Sequence, residues 1–490
     1  MAELGLRKAA TTAFFWNVAG AIVRAGAGFA VNILLARLLG PEPFGVLAIV
    51  LVIVSLSNLV IDSGLTVGLI QRPQITDDDV RYVFTWQVLT GLMLAIILVC
   101  LARPLAAYFQ QPALVPIMPW VALSVVLQAL WQASGALLRR QFNYRALQAA
   151  QIVSYLLGYV GVAVPLALAG AGVWSLIAAQ VVQGVVNTLL VLKSAPHSLR
   201  PLLQGDRSLL AFGSRVLGAN VANWLLSSLD TVLIARSFSA NSLGVYNRIN
   251  FLISTPVGIP VGAAQGVLLS GVSRVQDDLS KVRSTYLGVI HLIAFATWPI
   301  LAGAAALSET LVRTVYGDAW TVGKDLLPPL AVACGVSAIS AMAGPVLASL
   351  GRADLEFRQT LYALFIGLPV LIIGSRFDLT TLAWLVALSR LVFMLCMLFP
   401  LLGILRISAG SIIYPLGRAL MVSVLLGFVL SAVDASTVDT HPVLKFCLFL
   451  GCGAAVYALT FVLAPKAVLS REGIGILENH QLFGRLARFW

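Results

Sequence analysis

Long apolar runs alternate with short polar breaks along nearly the whole chain. "VLTGLMLAIILVCLA" and "ALMVSVLLGFVLSAV" are two of the runs; "RPQITDDDVR", "RRQFNYR", "KSAPHSLRP", "VQDDLSKVR" and "GRADLEFR" are breaks. The runs do not alternate apolar and polar residues, so they are not strands of a membrane barrel. A bilayer core of about 30 Å is crossed by about 20 apolar residues as a helix. On this pattern fourteen spans are expected, with cores near 12–36, 44–70, 82–102, 115–137, 147–169, 173–192, 209–236, 244–270, 284–306, 326–349, 357–375, 379–403, 411–432 and 443–464. The breaks are too short for a folded soluble domain. The basic, amphipathic tail 466–490 reads as a cytoplasmic surface segment. The first span is too long for the apolar stretch of a cleaved leader.

Composition supports this picture. The 490 residues are 59% hydrophobic and 11% charged, against about 25% charged in a soluble domain. Charge then orients the spans. Arg7, Lys8, Arg72, Arg81, Arg139, Arg140, Arg145, Lys193, Arg200, Arg207, Arg274, Lys281, Arg283, Arg352, Arg358, Arg406, Lys466, Arg471, Arg485 and Arg488 all fall on one set of alternate connections and the two tails. The other set and its helix ends hold only Arg37, Arg103, Arg236, Arg313, Lys324, Arg376 and Lys445. The positive-inside rule therefore expects both termini in the cytoplasm. The net charge of +12 reflects that bias and does not point to nucleic acid.

A repeat lies inside the pattern. "LLARLLGPEPFGV" at 34–46 returns as "LIARSFSANSLGV" at 233–245, an offset of 199 with Ala-Arg, Gly and Val in register. The copies end spans 1 and 7, six crossings apart, so both run in the same sense. The expected fold is an all-α polytopic membrane protein of about 14 transmembrane helices, with two parallel six-helix repeats around a central cavity plus two C-terminal helices. The divisions expected are 1–200, 201–407, 408–465 for the two added helices, and 466–490 for the tail.

"ARLLGPEPFGVLAIV", "VIDSGLTVGLIQR", "LLRRQFNYRAL", "GAGVWSLIAAQ" and "LDTVLIARSFSANSLGVYNRI" resemble the polysaccharide (O-antigen and exopolysaccharide) flippases of the multidrug/oligosaccharidyl-lipid/polysaccharide exporter superfamily. The resemblance covers spans 1 to 12. It implies a flippase of the bacterial inner membrane that moves undecaprenyl-pyrophosphate-linked oligosaccharide to the outer leaflet by alternating access. It also implies partners among membrane lipids and polysaccharide polymerase or export machinery. Two alternatives stay open at this point. One is a cation-coupled multidrug exporter of the same superfamily; the other is a membrane polysaccharide polymerase or ligase. More buried arginine than acid favours an anionic cargo over a cationic drug. The absence of a sizeable outer loop with acid–base residues weighs against the enzyme.

Charge inside a span is costly, about 2.5–3.5 kcal/mol at the helix centre, and normally faces protein or water. Arg24, Arg215, Arg248 and Arg390 lie inside spans or in their inner turns. They are the candidate pyrophosphate ligands, because each guanidinium fork can hold two phosphate oxygens. Arg418 and His291 lie nearer span ends, and Arg37 and Arg236 read as interfacial anchors. In span 1, Asn17, Arg24, Gly28 and Asn32 share an arc of roughly 80°. Ser55, Asn58, Asp62 and Thr66 form a stripe in span 2, Gln180, Gln183 and Asn187 in span 6, and Asn220, Asn223, Ser227 and Asp230 in span 7. Asn17, Asn58, Gln180, Gln183 and Asn223 are the candidate polar cavity; glue between helices is the competing reading. Asp230 and Asp62 are the candidates for coupling to H+ or Na+, with an ion pair to Arg236 or Arg248 as the alternative for Asp230.

Other chemistry is thin. Cys100, Cys334, Cys396, Cys447 and Cys452 lie in apolar runs and read as small core residues. His197, His291, His441 and His480 are dispersed. No metal site, cofactor or nucleotide-binding glycine loop is expected. "TDDDV" at 76–80 reads as a solvated helix start.

Overall fold

A computed structural model of the chain describes residues 2–72, 74–204, 207–436 and 451. The described residues are helical, with no strand among them. Eleven helical segments there are long and apolar enough to cross a membrane. Helices α1 (Ala2–Leu39) and α10 (Arg207–Ser237) occupy two further expected span positions. Apart from residue 451, the fourteenth expected span, with Cys447 and Cys452, lies outside the described residues, as do His441, Lys445 and the basic tail with His480.

The chain packs as two compact units, 1–244 and 245–490. In the first, α2 (Pro41–Asp62) and α3 (Leu65–Gln71) are one span broken at Ser63 and Gly64, both left-handed with φ of 38° and 70°. Asp62 closes the break: its Oδ1 accepts from the Thr66 backbone N–H at 3.2 Å. Helix α4 (Asp77–Cys100) opens on a capping box, with Thr76 and Asp79 each satisfying the other's backbone N–H. That is the role of the acidic "TDDDV" stretch. A short α5 (Ala102–Tyr108) leads to α6 (Leu114–Arg140). At the end of α6, the Arg140 guanidinium donates to the carbonyls of Leu69, at 3.0 Å, and Ile70, at 3.1 Å, closing the C-terminus of α3. A cation there also suits the helix dipole.

Span 5 is compound. Helix α7 (Tyr144–Tyr155) continues as a π-helix, Leu156–Ala163, and then as α8 (Val164–Leu168). Helix α9 (Val173–Ser194) completes six spans. The segment after it is not a free linker. Ser134 donates to Ala195 O at 2.9 Å, Arg81 to Arg200 O at 3.2 Å, and the Leu202 N–H to Thr85 Oγ1 at 2.9 Å.

The repeated turn has a physical reason. Helix α11 (Ala240–Val272) begins at the second copy. A Cβ on Gly45 would lie 1.8 Å from Ala240 O, and a Cβ on Gly244 would lie 1.9 Å from Pro41 O. Pro41 and Ala240 correspond at the 199-residue offset, and so do Gly45 and Gly244. The contact is therefore reciprocal. Only glycine lets the two helix starts touch backbone to backbone.

The second unit continues with α11, α12 (Leu279–Ala306), the short α13 (Ser308–Tyr316), a 3-10 stretch Asp318–Leu326, α14 (Leu327–Ser340), α15 (Ala343–Ser349), α16 (Ala353–Gly374), α17 (Leu379–Ile404) and α18 (Ala409–Ser436). Its polar breaks also become caps. Asp278 accepts from Ser280 and Lys281 N–H groups at the start of α12, and Asp378 from Thr381 N–H at the start of α17. These amides, with the Lys281 ammonium, hold the Asp278 carboxyl below the usual carboxylate range.

One expectation fails in the fold. Cys100, read as a small core residue, is exposed at the end of α4. In a bilayer an apolar run has no need to turn a thiol inward, because hydrocarbon surrounds it.

Candidate functional site

Arg24 sits half-buried in the second half of α1. One guanidinium nitrogen donates to Gln151 Oε1 on α7. The bond is one rung of a longer seam. The Arg145 guanidinium lies 5.2 Å over the Trp16 ring, Gly20 lies against the Gln148 side chain, and Asn32 Nδ2 donates to Tyr155 OH at 3.3 Å. Both series rise together along the chain, so α1 and α7 run parallel. Spans 1 and 5 must do so if three crossings separate them. Tyr155 is further fixed by stacking on Tyr159, 4.7 Å between centroids and 20° between planes, which brings the seam into the π-helix. A π-helical stretch inside a span frequently marks a functional position.

The four polar stripes have different surroundings. In span 1, Gly28 O accepts from Asn32 Nδ2 at 2.8 Å and from Tyr155 OH at 3.4 Å, so Gly28 and Asn32 bind α1 to α7. The Asn17 side chain lies outside the described residues, as does that of Arg215. In span 2, Ser55 accepts from Trp224 Nε1 at 2.8 Å, and Thr66 Oγ1 accepts from Gln87 Nε2 at 3.4 Å. The same Gln87 amide donates to Gln132 Oε1 at 3.3 Å. In span 6, Gln183 packs at Gly158 of the π-helix. In span 7, Asn220, Asn223 and Ser227 are exposed while Asp230 is buried, its Oδ1 accepting from the Thr231 N–H at 2.8 Å.

In the first unit Asn58 Oδ1, Gln87 Oε1, Gln180 Oε1 and Asn187 Oδ1 are buried with no hydrogen-bond partner among the described residues. A buried acceptor left unmet costs about 1–3 kcal/mol. All four would be satisfied by a hydroxyl donor.

In the second unit, Arg248 is 6% exposed on the third turn of α11. Its guanidinium lies 5.1 Å over the Phe251 ring, and its carbonyl accepts from Tyr316 OH at 3.1 Å. Tyr316 in turn packs on Trp320, 5.3 Å between centroids, and both rings are buried. Arg390 is half-buried on α17. Arg418 is spent locally, bonded to Tyr414 OH one turn away with its guanidinium 4.1 Å over that ring. His291 is 3% exposed on α12. Of the expected interfacial anchors, Arg37 and Arg236 are exposed at helix ends, and Arg236 lies 5.4 Å over the Tyr108 ring.

Gln151, Tyr155, Gln87 and Trp224 are the residues that sequence reasoning passed over. The first two carried a signal: Gln148, Gln151 and Tyr155 are polar at helical spacing in an otherwise apolar run.

Residues 34–324 match a family model described as polysaccharide biosynthesis protein. The chain is 24% identical over 426 residues to the teichuronic acid biosynthesis protein TuaB of Bacillus subtilis (strain 168), covering 85% of this chain and 88% of the relative. It is 27% identical over 345 residues to the succinoglycan biosynthesis transport protein ExoT of Rhizobium meliloti (strain 1021), covering 70% and 69%. Among solved structures it is similar to the lipid II flippase MurJ in an inward closed conformation. That match has a TM-score of 0.75 at 13% identity, covering 93% of this chain and 98% of the other.

Proposed function

The chain belongs to the polysaccharide biosynthesis protein family, and from that premise we propose that it flips undecaprenyl-pyrophosphate-linked oligosaccharide from the inner to the outer leaflet of the bacterial inner membrane. The relatives named for teichuronic acid biosynthesis and succinoglycan transport, and the fold shared with a lipid II flippase, support this reading. Arg24 is the observation that carries it. A guanidinium stands inside the first span, bonded to a neutral amide and, among the described residues, to no carboxylate. Its charge is therefore still available to an anion, and an Arg so placed is expensive unless it faces such a partner.

The protein makes and breaks no covalent bond in this scheme. The diphosphate is the group that Arg24 takes up, and Arg248, Arg390 and Arg215 are assigned the same ligand chemistry. Asn58, Gln180, Gln183, Asn223 and Asn17 accept from and donate to sugar hydroxyls; the unmet oxygens of Asn58 and Gln180 support their part. Asp230 and Asp62 are the coupling-ion candidates, for H+ or Na+. The distribution of Lys and Arg supports cytoplasmic termini. The repeat offset supports halves at 1–200 and 201–407, followed by 408–465 and the tail. Polymerase or export proteins are the partners that would receive the flipped product.

The test is export. Arg24→Ala should reduce surface polysaccharide at least tenfold with unchanged protein in the membrane. Arg24→Lys should restore only part, because an ammonium lacks the planar fork. Wild-type export from Arg24→Ala would remove this residue from the mechanism.

A further inference from the structure

The polar stripe of α10 and that of α2 meet at one hydrogen bond, from Trp224 Nε1 to Ser55 Oγ at 2.8 Å. On α10, Asn220, Asn223 and Ser227 share an arc of roughly 100° with Trp224. All three are exposed, as is Ser55, and Trp224 is partly exposed. Amides and hydroxyls inside a spanning segment do not face hydrocarbon, because their hydrogen-bonding groups would go unmet there. These residues therefore form a hydrated face of the first unit. Asn58, one turn along α2 from Ser55, adds a buried acceptor without a hydrogen-bond partner among the described residues. The 199-residue offset makes Asn223 the repeat equivalent of Arg24, so the face lies at the depth of the candidate diphosphate ligand.

An indole is out of place on such a face unless its ring has work to do. With its N–H committed to Ser55, the ring cannot turn freely, and its π surface is held at a fixed angle beside Asn220, Asn223 and Ser227. A sugar ring fits that combination. Its axial C–H bonds carry partial positive charge and are drawn to the negative face of the indole. Its equatorial hydroxyls point sideways, where amides and a serine can meet them. A lipid chain would match the indole but not the amides, and a bare diphosphate would match the amide and hydroxyl donors but not the negative face of the indole.

We propose that Trp224, pinned by Ser55, is a stacking platform for a sugar ring of the cargo, with Asn220, Asn223, Ser227 and Asn58 bonding its hydroxyls. This rests on the flippase reading and assigns the carbohydrate part of that cargo, as Arg24 is assigned the diphosphate.

The test uses the full chain in nanodiscs and two kinds of probe. One is farnesyl pyrophosphate. The other is a panel of the same lipid carrying one glucosyl, galactosyl or N-acetylglucosaminyl residue on the diphosphate. Wild type should bind at least one glycosylated probe more tightly than the bare one. Trp224→Ala should remove most of that margin, about tenfold, and leave the bare probe unchanged. Trp224→Phe should keep much of the margin, since a ring face remains, and Ser55→Ala should lose a smaller part of it. If Trp224→Ala weakens both kinds of probe equally, or if no glycosylated probe exceeds the bare one, the platform is overturned while the flippase reading stands. If wild type binds none of the probes, the flippase reading itself falls, and this assignment with it.

Discussion

At the scale of single residues, Arg24 owes its position to Gln151. An Arg side chain has several rotatable bonds, and a guanidinium that must meet a diphosphate works best when one of its donors is already held. Gln151 Oε1 holds it without neutralising it. Two substitutions separate those roles. Gln151→Leu removes the acceptor; a hydrogen bond to a charged group contributes about 1.5–3 kcal/mol, so flipping at low cargo concentration should fall by about tenfold or more. Gln151→Glu keeps an acceptor but supplies a negative charge, which would neutralise Arg24 and repel the diphosphate. It should therefore be worse than Leu in a reconstituted flipping assay. If Gln151 were only glue between α1 and α7, Glu would be the milder change, because an ion pair binds the helices at least as well. Arg24 was legible from the sequence because charge in an apolar run stands out. Its partner was not, since 127 residues separate them and only folding pairs their faces. Trp224 escaped for another reason: an indole among apolar residues looks like any other large side chain until its N–H is seen to reach Ser55.

At the scale of elements, the reciprocal glycine contact governs how α2 and α11 begin. Gly→Ala in a helix interior ordinarily stabilises by about 0.5–1 kcal/mol, through the entropy of the unfolded chain. At Gly45 and Gly244 the sign should reverse. A methyl there would lie 1.8 Å or 1.9 Å from a backbone carbonyl, and backbone cannot rotate away as a side chain can. Forcing the helix starts apart should cost about 1–3 kcal/mol or more. Gly45→Ala and Gly244→Ala should each lower the melting temperature of the purified protein. Gly26→Ala on α1, where nothing lies within 4 Å of the added methyl, should not. The double variant should melt well above the temperature expected by adding the two losses, because one separation of the helices relieves both clashes. Additive losses would mean that the two contacts are independent. The sequence showed that the turn was written twice but not why, because a repeat carries no record of which copy touches which. It also concealed the π-helix. Leu156–Ala163 is apolar and unbroken, and nothing in such a run distinguishes one helical hydrogen-bond pattern from another.

At the scale of the whole molecule, the question is what drives transport. The span pattern was readable because hydrocarbon demands long apolar helices, and thirteen of the fourteen expected positions are helical among the described residues. The driving force is written more faintly. A lipid diphosphate is negative and so is the cytoplasm. Moving one unit of negative charge outward across about 100 mV is favoured by about 2.3 kcal/mol. On the proposed reading the membrane potential is enough to drive flipping unaided, with the proposed arginine ligands lowering the barrier for the headgroup. An ion-coupled cycle needs a carboxylate in addition, and Asp230 is 6% exposed inside α10. One oxygen already accepts from the Thr231 N–H. Asp230→Asn keeps an oxygen for that bond and removes only the charge, so the local helix should survive the change. If Asp230 takes up H+ or Na+, proteoliposomes carrying Asp230→Asn should flip cargo at a rate that no longer responds to either gradient, while still responding to an imposed potential. Binding of farnesyl pyrophosphate should be largely retained, since the proposed diphosphate ligands are untouched. A wild-type response to the gradients in the variant would leave the carboxylate a structural role and place the coupling at another group; a wild type that itself ignores both gradients would leave the potential as the sole source of drive.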